Sequence, residues 1–150
     1  MEQTLKTKLF RVLLKLIIIA ITIFIVTFIQ IYWAMGSLSE RSSSSCLDCS
    51  FSYDAYLMSF ISSILLSIVF RFLSFLKNSY SIVFFQLLFL ISIWFFWNYS
   101  IFVDRESSWS TFLFTEELLH TLTLSFLPIS ILSIITVFTL PYILKKYESK

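Results

Sequence analysis

Residues 16–35 read LIIIAITIFIVTFIQIYWAM, and not one of them is charged. A helix rises about 1.5 Å per residue, so about 20 apolar residues cross the roughly 30 Å of a bilayer's hydrocarbon core. The Ile and Val content would suit a buried strand, but the run is too long for one. In lipid every backbone N–H and C=O must find its partner within the protein, which makes a helix the expected form. Basic residues precede the run (Lys6, Lys8, Arg11, Lys15), and Tyr32 and Trp33 close it at the level where headgroups begin. A cleaved signal peptide has a shorter apolar region of about 7–15 residues. Ala34-Met35-Gly36 is therefore read as the end of an uncleaved anchor rather than as a cleavage site.

Three further runs follow, at about 55–76, 80–103 and 118–144. The second carries one internal charge, Arg71. The whole chain is 58% hydrophobic and 13% charged, against about 25% charged for soluble domains, so lipid is the expected solvent. The 150 residues suit a single domain. With one glycine, Gly36, Gly-rich phosphate loops are excluded. A net charge of +2 with no basic–aromatic surface argues against nucleic acid.

The Lys/Arg distribution predicts the orientation. Lys6, Lys8, Arg11, Lys15, Arg71, Lys77, Lys145, Lys146 and Lys150 fall on one side of four spans, with only Glu2 and Glu148 as acids. Arg41 and Arg105 fall on the other, with Glu40, Asp48, Asp54, Asp104, Glu106, Glu116 and Glu117. The expected fold is therefore an all-α membrane protein. It is an antiparallel bundle of four transmembrane helices with both termini cytoplasmic, in a bacterial inner membrane. A tight inner turn is expected at Lys77-Asn78-Ser79, and outer loops at about 36–54 and 104–117. Trp94, Trp97, Tyr142 and Tyr147 sit near the expected interfaces.

No G-x-x-x-G pair is present, so hydroxyl residues are the candidates for close helix contact. Ser59, Ser63, Ser67 and Arg71 recur every four residues, and Ser130, Ser133, Thr136 and Thr139 every three. These are the candidate helix-interface residues. Gln30 and Gln86 are candidates for bonds between helices, worth about 0.6 kcal/mol each. Arg71 lies about five residues from the inner end, close enough for its stem to carry the guanidinium to the interface. Pro128 removes a donor and is expected to kink the fourth span.

Cys46 and Cys49 form a C-x-x-C in the first outer loop, where an oxidising compartment favours a disulfide. That placement resembles the four-span disulfide-oxidising proteins that pass electrons to quinone. The resemblance covers the motif and the span count. The second loop has no cysteine, and Cys49 is followed by Ser50-Phe51-Ser52-Tyr53-Asp54 without the family's arginine. With His120 the sole histidine, a bis-histidine haem is impossible; a metal set of Cys46, Cys49, Asp48 and His120 has no demanding spacing. No nucleophile motif occurs. Asn98-Tyr99-Ser100 fits a glycosylation sequon but lies against the membrane. No carboxylate occupies a span, which argues against ion transport. The echo of Glu40-Arg41-Ser42-Ser43 in Arg105-Glu106-Ser107-Ser108 is too short to mark a transporter repeat.

With no catalytic, cofactor or metal site indicated, interaction is what is left. In span number, short inner turn and polar outer loops the chain resembles the small inner-membrane immunity proteins that protect bacteria from pore-forming toxins. The resemblance implies binding of a toxin's membrane-inserted helices before a channel opens. An accessory or assembly subunit of a larger membrane complex is the second reading, and a thiol–disulfide redox protein using Cys46 and Cys49 the third. Membrane lipid is a partner in every case; homo-oligomerisation is left open.

Overall fold

The computed structural model describes residues 2–76 and 78–148, and the side chains of residues 9–10, 12–76 and 78–144. Lys77, the basic residue of the expected inner turn, lies outside the described residues, as do the side chains of Lys6, Lys8, Arg11, Lys145 and Lys146. The described residues form four α-helices: α1 (Glu2–Met35), α2 (Phe51–Leu73), α3 (Ser79–Arg105) and α4 (Phe114–Glu148). Short 3₁₀ turns, Gly36–Leu38 and Ser107–Trp109, follow α1 and α3. No strand occurs among the described residues. All four helices are long and apolar enough to cross a membrane.

The helix ends have local causes. The Ser50 hydroxyl accepts from the Tyr53 N–H at 3.2 Å and caps α2. The Asn78 side-chain oxygen accepts from the Tyr80 N–H at 3.0 Å and caps α3. At the start of α4 the Glu116 carboxylate accepts from the Leu113 N–H at 2.9 Å, and Glu116 and Glu117 together offset the positive helix end. Arg71 and Arg105 lie in the last turns of α2 and α3, where the sign reverses. α1 begins at Glu2, far upstream of its apolar run, because the basic segment has no breaker. α4 continues as one helix through both Pro128 and Pro141. Pro128 is buried and leaves the Leu124 carbonyl without its usual donor.

The helices are inverted relative to those of a soluble bundle. On α2 the buried positions include Ala55, Ser59, Ser62, Ser63 and Ser67, while Phe60, Ile61, Ile64, Leu65 and Ile68 face outward. On α1, Ile19, Ile23, Thr27 and Ile31 turn inward, and Ile17, Ile21, Ile25, Ile29 and Trp33 turn outward. A helix apolar on its outer face requires an apolar solvent or a partner. α1 is the central element: it packs against all three other helices, most extensively α2, while α2 and α3 meet over a shorter seam.

Two apolar clusters fill the interior. One gathers Ile19, Ile23, Leu66, Phe70, Leu90, Trp94, Ile129, Val137 and Leu140 from all four helices. The other, at the end bearing the long loops, gathers Ile31, Met35, Leu38, Phe51, Ala55, Ile101 and Phe102. In sequence, each helix carries polar residues beside these clusters: Thr27 and Gln30, Ser59 and Ser62, Asn98, then Thr121 and Ser125, all buried. Trp94 Nε1–H donates to Thr27 Oγ1 at 2.9 Å, and Trp97 Nε1–H to Ser62 Oγ at 2.7 Å, tying α3 to α1 and α2.

Candidate functional site

The most elaborated part of the molecule is the end bearing the two long loops. Its first loop is a run of small polar residues that cannot build a core. It is held instead by hydrogen bonds from three consecutive residues at the end of α3.

Asp104 fixes the serines. Its carboxylate Oδ1 accepts from the Ser44 hydroxyl and from the Ser45 N–H, both at 3.0 Å, and its carbonyl accepts from the Ser44 N–H at 3.0 Å. Arg105 is the keystone. Its side chain is 2% exposed and pairs with Asp54 Oδ2 of α2 at 2.5 Å. It also donates to the Arg41 carbonyl at 2.5 Å and the Cys49 carbonyl at 3.1 Å, and sits 5.5 Å from the Phe51 ring centroid. One guanidinium thus joins α3, both halves of the first loop and the start of α2. Glu106 forms an ion pair with Arg41. The Trp109 indole N–H reaches the Ser42 carbonyl at 3.1 Å.

Cys46 and Cys49 are joined by a disulfide, and a turn returns the Cys49 N–H to the Cys46 carbonyl at 3.0 Å. The Ser43 hydroxyl accepts from the Cys46 N–H at 3.1 Å. The second loop is anchored to α4 through Glu117, which accepts from the Tyr99 hydroxyl at 2.8 Å and from Ser107. His120 is exposed and packs against the rings of Phe102 and Phe112. Among the described residues no group of three His, Cys, Asp or Glu side chains is placed to hold a metal ion.

Beside this cap lies a crevice of about 430 Å³, between Asp54 and Met58 of α2 and Phe96, Tyr99 and Ile101 of α3, closed at the loop end by Ser44. It lies between α2 and α3, whose contact is less extensive than that of α1 with α2. A second hollow of about 420 Å³ lies over Tyr32, Arg41, Asp48 and Arg105.

The candidate interface residues separate into two kinds. Ser59, Ser63 and Ser67 are all buried, and each hydroxyl bonds a carbonyl of its own helix, those of Ala55, Phe60 and Ile64. They act by being small. Ser133 and Thr136 are buried and likewise bond within α4, to Ser130 and Leu132. Ser130 is half-buried and Thr139 exposed. A three-residue step drifts around a helix of about 3.6 residues per turn, so the buried stripe of α4 runs through Thr121, Ser125, Ile129, Ser133 and Val137 instead. Arg71 lies at the opposite end from the cap, partly exposed, its guanidinium on Ser74 Oγ at 2.8 Å and over the Phe75 ring.

Gln30, expected to bond between helices, is buried with neither amide atom partnered, and the same holds for Asn98. Asn98 is fully buried within α3, so the Asn98-Tyr99-Ser100 sequon is inaccessible. The role of Arg105 was not visible in the sequence beyond one trace: it is a lone base within Asp104-Arg105-Glu106, at the edge of an apolar run. No protein-family description matches the chain, and neither a curated protein nor a solved structure is measurably similar to it.

Proposed function

We propose that the chain is an antiparallel four-helix bundle of the bacterial inner membrane, with both termini cytoplasmic, and that it works by binding another membrane-inserted protein. The specific reading is an immunity protein that neutralises a pore-forming or membrane-targeting toxin. The observation that carries it is the α2–α3 seam. A crevice of about 430 Å³ lies there, with Met58 of α2 and Phe96, Ile101 and Val103 of α3 as its apolar wall and Asp54, Tyr99, Ser100 and the serines and Asp104 of the cap as its polar one. Such a slot suits side chains of an added helix.

The mechanism is a shift of population. A toxin whose helices bind the bundle in their closed arrangement is drawn away from the open one. Holding it 99:1 closed against a 99:1 opening bias takes about 5.5 kcal/mol of differential affinity. Several packed helix faces supply energy of that order without any reactive group.

A second reading, an accessory subunit of a larger membrane complex, is favoured by α3. Phe84, Leu88, Ile91 and Phe96 all face outward along it, a continuous surface for a neighbouring helix.

Expression in toxin-sensitive cells, challenged with the product of the adjacent gene, tests the first reading. Survival supports immunity. Undiminished killing with the protein verified in the membrane rejects it, and stable co-purification with a resident complex in mild detergent then favours the subunit. Retained protection in Cys46→Ser/Cys49→Ser separates binding from thiol chemistry.

A further inference from the structure

Between the two apolar clusters, one reaching Ile23 and Trp94 and the other beginning at Ile31 and Ile101, lies a polar layer. Gln30 of α1, Asn98 of α3, and Thr121 and Ser125 of α4 are each 0% exposed. Six of their polar atoms, both amide ends of Gln30 and Asn98 and the Thr121 and Ser125 hydroxyls, make no hydrogen bond among the described residues. The helix register brings these groups to one level. α1 and α3 both run toward the loop end, and Trp94 Nε1–H bonds Thr27 at 2.9 Å. Gln30 and Asn98 lie one turn beyond that bond, on the same faces of their helices. α4 runs the other way. Its Glu117 bonds Tyr99 and its His120 stacks on Phe102, which sets Thr121 level with Asn98 and Ser125 a turn deeper. Local bonding does not absorb the hydroxyls. Those of Ser59, Ser63, Ser67, Ser133 and Thr136 turn back onto carbonyls of their own helices, whereas those of Thr121 and Ser125 do not. Pro128, buried on the same stripe, frees the Leu124 carbonyl as one more acceptor beside them.

From this layer we infer an enclosed binding site for water. None of the four side chains carries a charge, so the occupant is neutral. It accepts from the amide N–H groups and donates to the amide and hydroxyl oxygens. All four side chains are closed off from the surface, which excludes a partner's side chain. Water meets each requirement, since a buried molecule makes about three hydrogen bonds to groups that the protein leaves unsatisfied. The six open atoms, at about three bonds each, correspond to about two waters, within the one per roughly 27 residues that folded proteins hold. Such waters bridge α1, α3 and α4 at a level where these side chains do not bond one another. The site is independent of the role proposed for the α2–α3 crevice, which Phe96 and Tyr99 line and Asn98 does not.

The test uses the full chain with isotope-labelled asparagine and glutamine in perdeuterated detergent micelles. The sequence holds two asparagines, Asn78 and Asn98, and three glutamines, Gln3, Gln30 and Gln86, so each side-chain amide is assigned by single substitution. Nuclear magnetisation is transferred from water to the amide protons. The Gln30 and Asn98 side-chain N–H groups are expected to show cross-peaks with the sign of a water that tumbles with the protein. Gln30→Leu is expected to lose the Asn98 cross-peak, because leucine displaces the bridging water while both hydroxyls stay in place. Trapping a water costs entropy, so hydration offsets only part of the cost of burying the amides, and Gln30→Leu remains the more stable protein. Wild type without water cross-peaks overturns the site, and a cross-peak between the Gln30 and Asn98 amides would then identify a direct bond between α1 and α3. An Asn98 cross-peak undiminished in Gln30→Leu also overturns it, since the transferred protons then come from the hydroxyls or from bulk water.

Discussion

The two ends of the bundle are organised by opposite means. At the loop end, order comes from directional bonds: Asp104, Arg105 and Glu106 each reach the first loop through side-chain contacts, and the apolar cluster beneath supplies only the floor. At the other end order comes from packing. Ile19, Phe70 and Leu140 close around a cavity, and Arg71 bonds no further than Ser74. The difference teaches where each kind of interaction is effective. Loop backbone cannot satisfy itself, so its carbonyls need donors brought by tertiary structure. Helices satisfy their own backbone, so apolar surface and small residues suffice to hold them together.

The strongest way to break that contrast is to remove the partner of Arg105. Asp54→Ala leaves a guanidinium, itself 2% exposed, without its counter-charge. Loss of one member of a fully buried pair costs about 3–5 kcal/mol; Asp54 is 23% exposed, so reversible unfolding in mixed micelles is expected to show a destabilisation at or below the lower end of that range. The joint change Asp54→Leu/Arg105→Met does not recover it, because the Arg41 and Cys49 carbonyls then lose their donor. A loss under 1 kcal/mol for Asp54→Ala would show that the cap is not held by this pair.

The next effect has the opposite sign and lies between the ends. Gln30 and Asn98 are buried with unpartnered amides. Each unsatisfied group costs about 1–3 kcal/mol. Gln30→Leu and Asn98→Leu are therefore each expected to raise the unfolding free energy, by up to that amount. A fall on both substitutions would mean the amides are satisfied in the membrane-embedded protein.

Opening the Cys46–Cys49 disulfide sharpens the comparison from the loop side. A bridge across a sequence separation of 3 closes a very small loop, for which chain entropy allows at most about 2 kcal/mol. Cys46→Ser/Cys49→Ser is expected to lower stability by no more than that, with helical circular dichroism unchanged. The smallest effect belongs to the packed end. Arg71→Gln removes a partly exposed group held by a hydroxyl and a ring, and less than about 1 kcal/mol is expected in zwitterionic detergent.

How much of this was legible in the sequence follows the same division. The spans expected at 16–35, 55–76, 80–103 and 118–144 all lie largely within the observed helices, because apolar length is a property of contiguous residues. Boundaries differ where a cap decides them. α2 starts at Phe51, since Ser50 caps it, and α4 at Phe114, where Glu116 satisfies the Leu113 N–H. The inward turn of Ser59, Ser63 and Ser67 was readable from spacing alone. The drift of Thr139 to the surface was not, because a three-residue step looks periodic over a short stretch. Arg105 was illegible as more than a charge on the outer side. Its partners Asp54, Cys49 and Arg41 are 51, 56 and 64 residues earlier in the chain, and no local pattern encodes such distances.

Those separations carry a consequence for biogenesis. Synthesis delivers the first loop long before the guanidinium that locks it, so the α1–α2 hairpin enters the bilayer with the Arg41 and Cys49 carbonyls open to water. The lock closes only when the last turn of α3 has emerged. Chains that stall before residue 105 are therefore distinguishable from finished ones by a loose, protease-accessible loop, and arrival of a single side chain marks the moment when the two halves become one molecule.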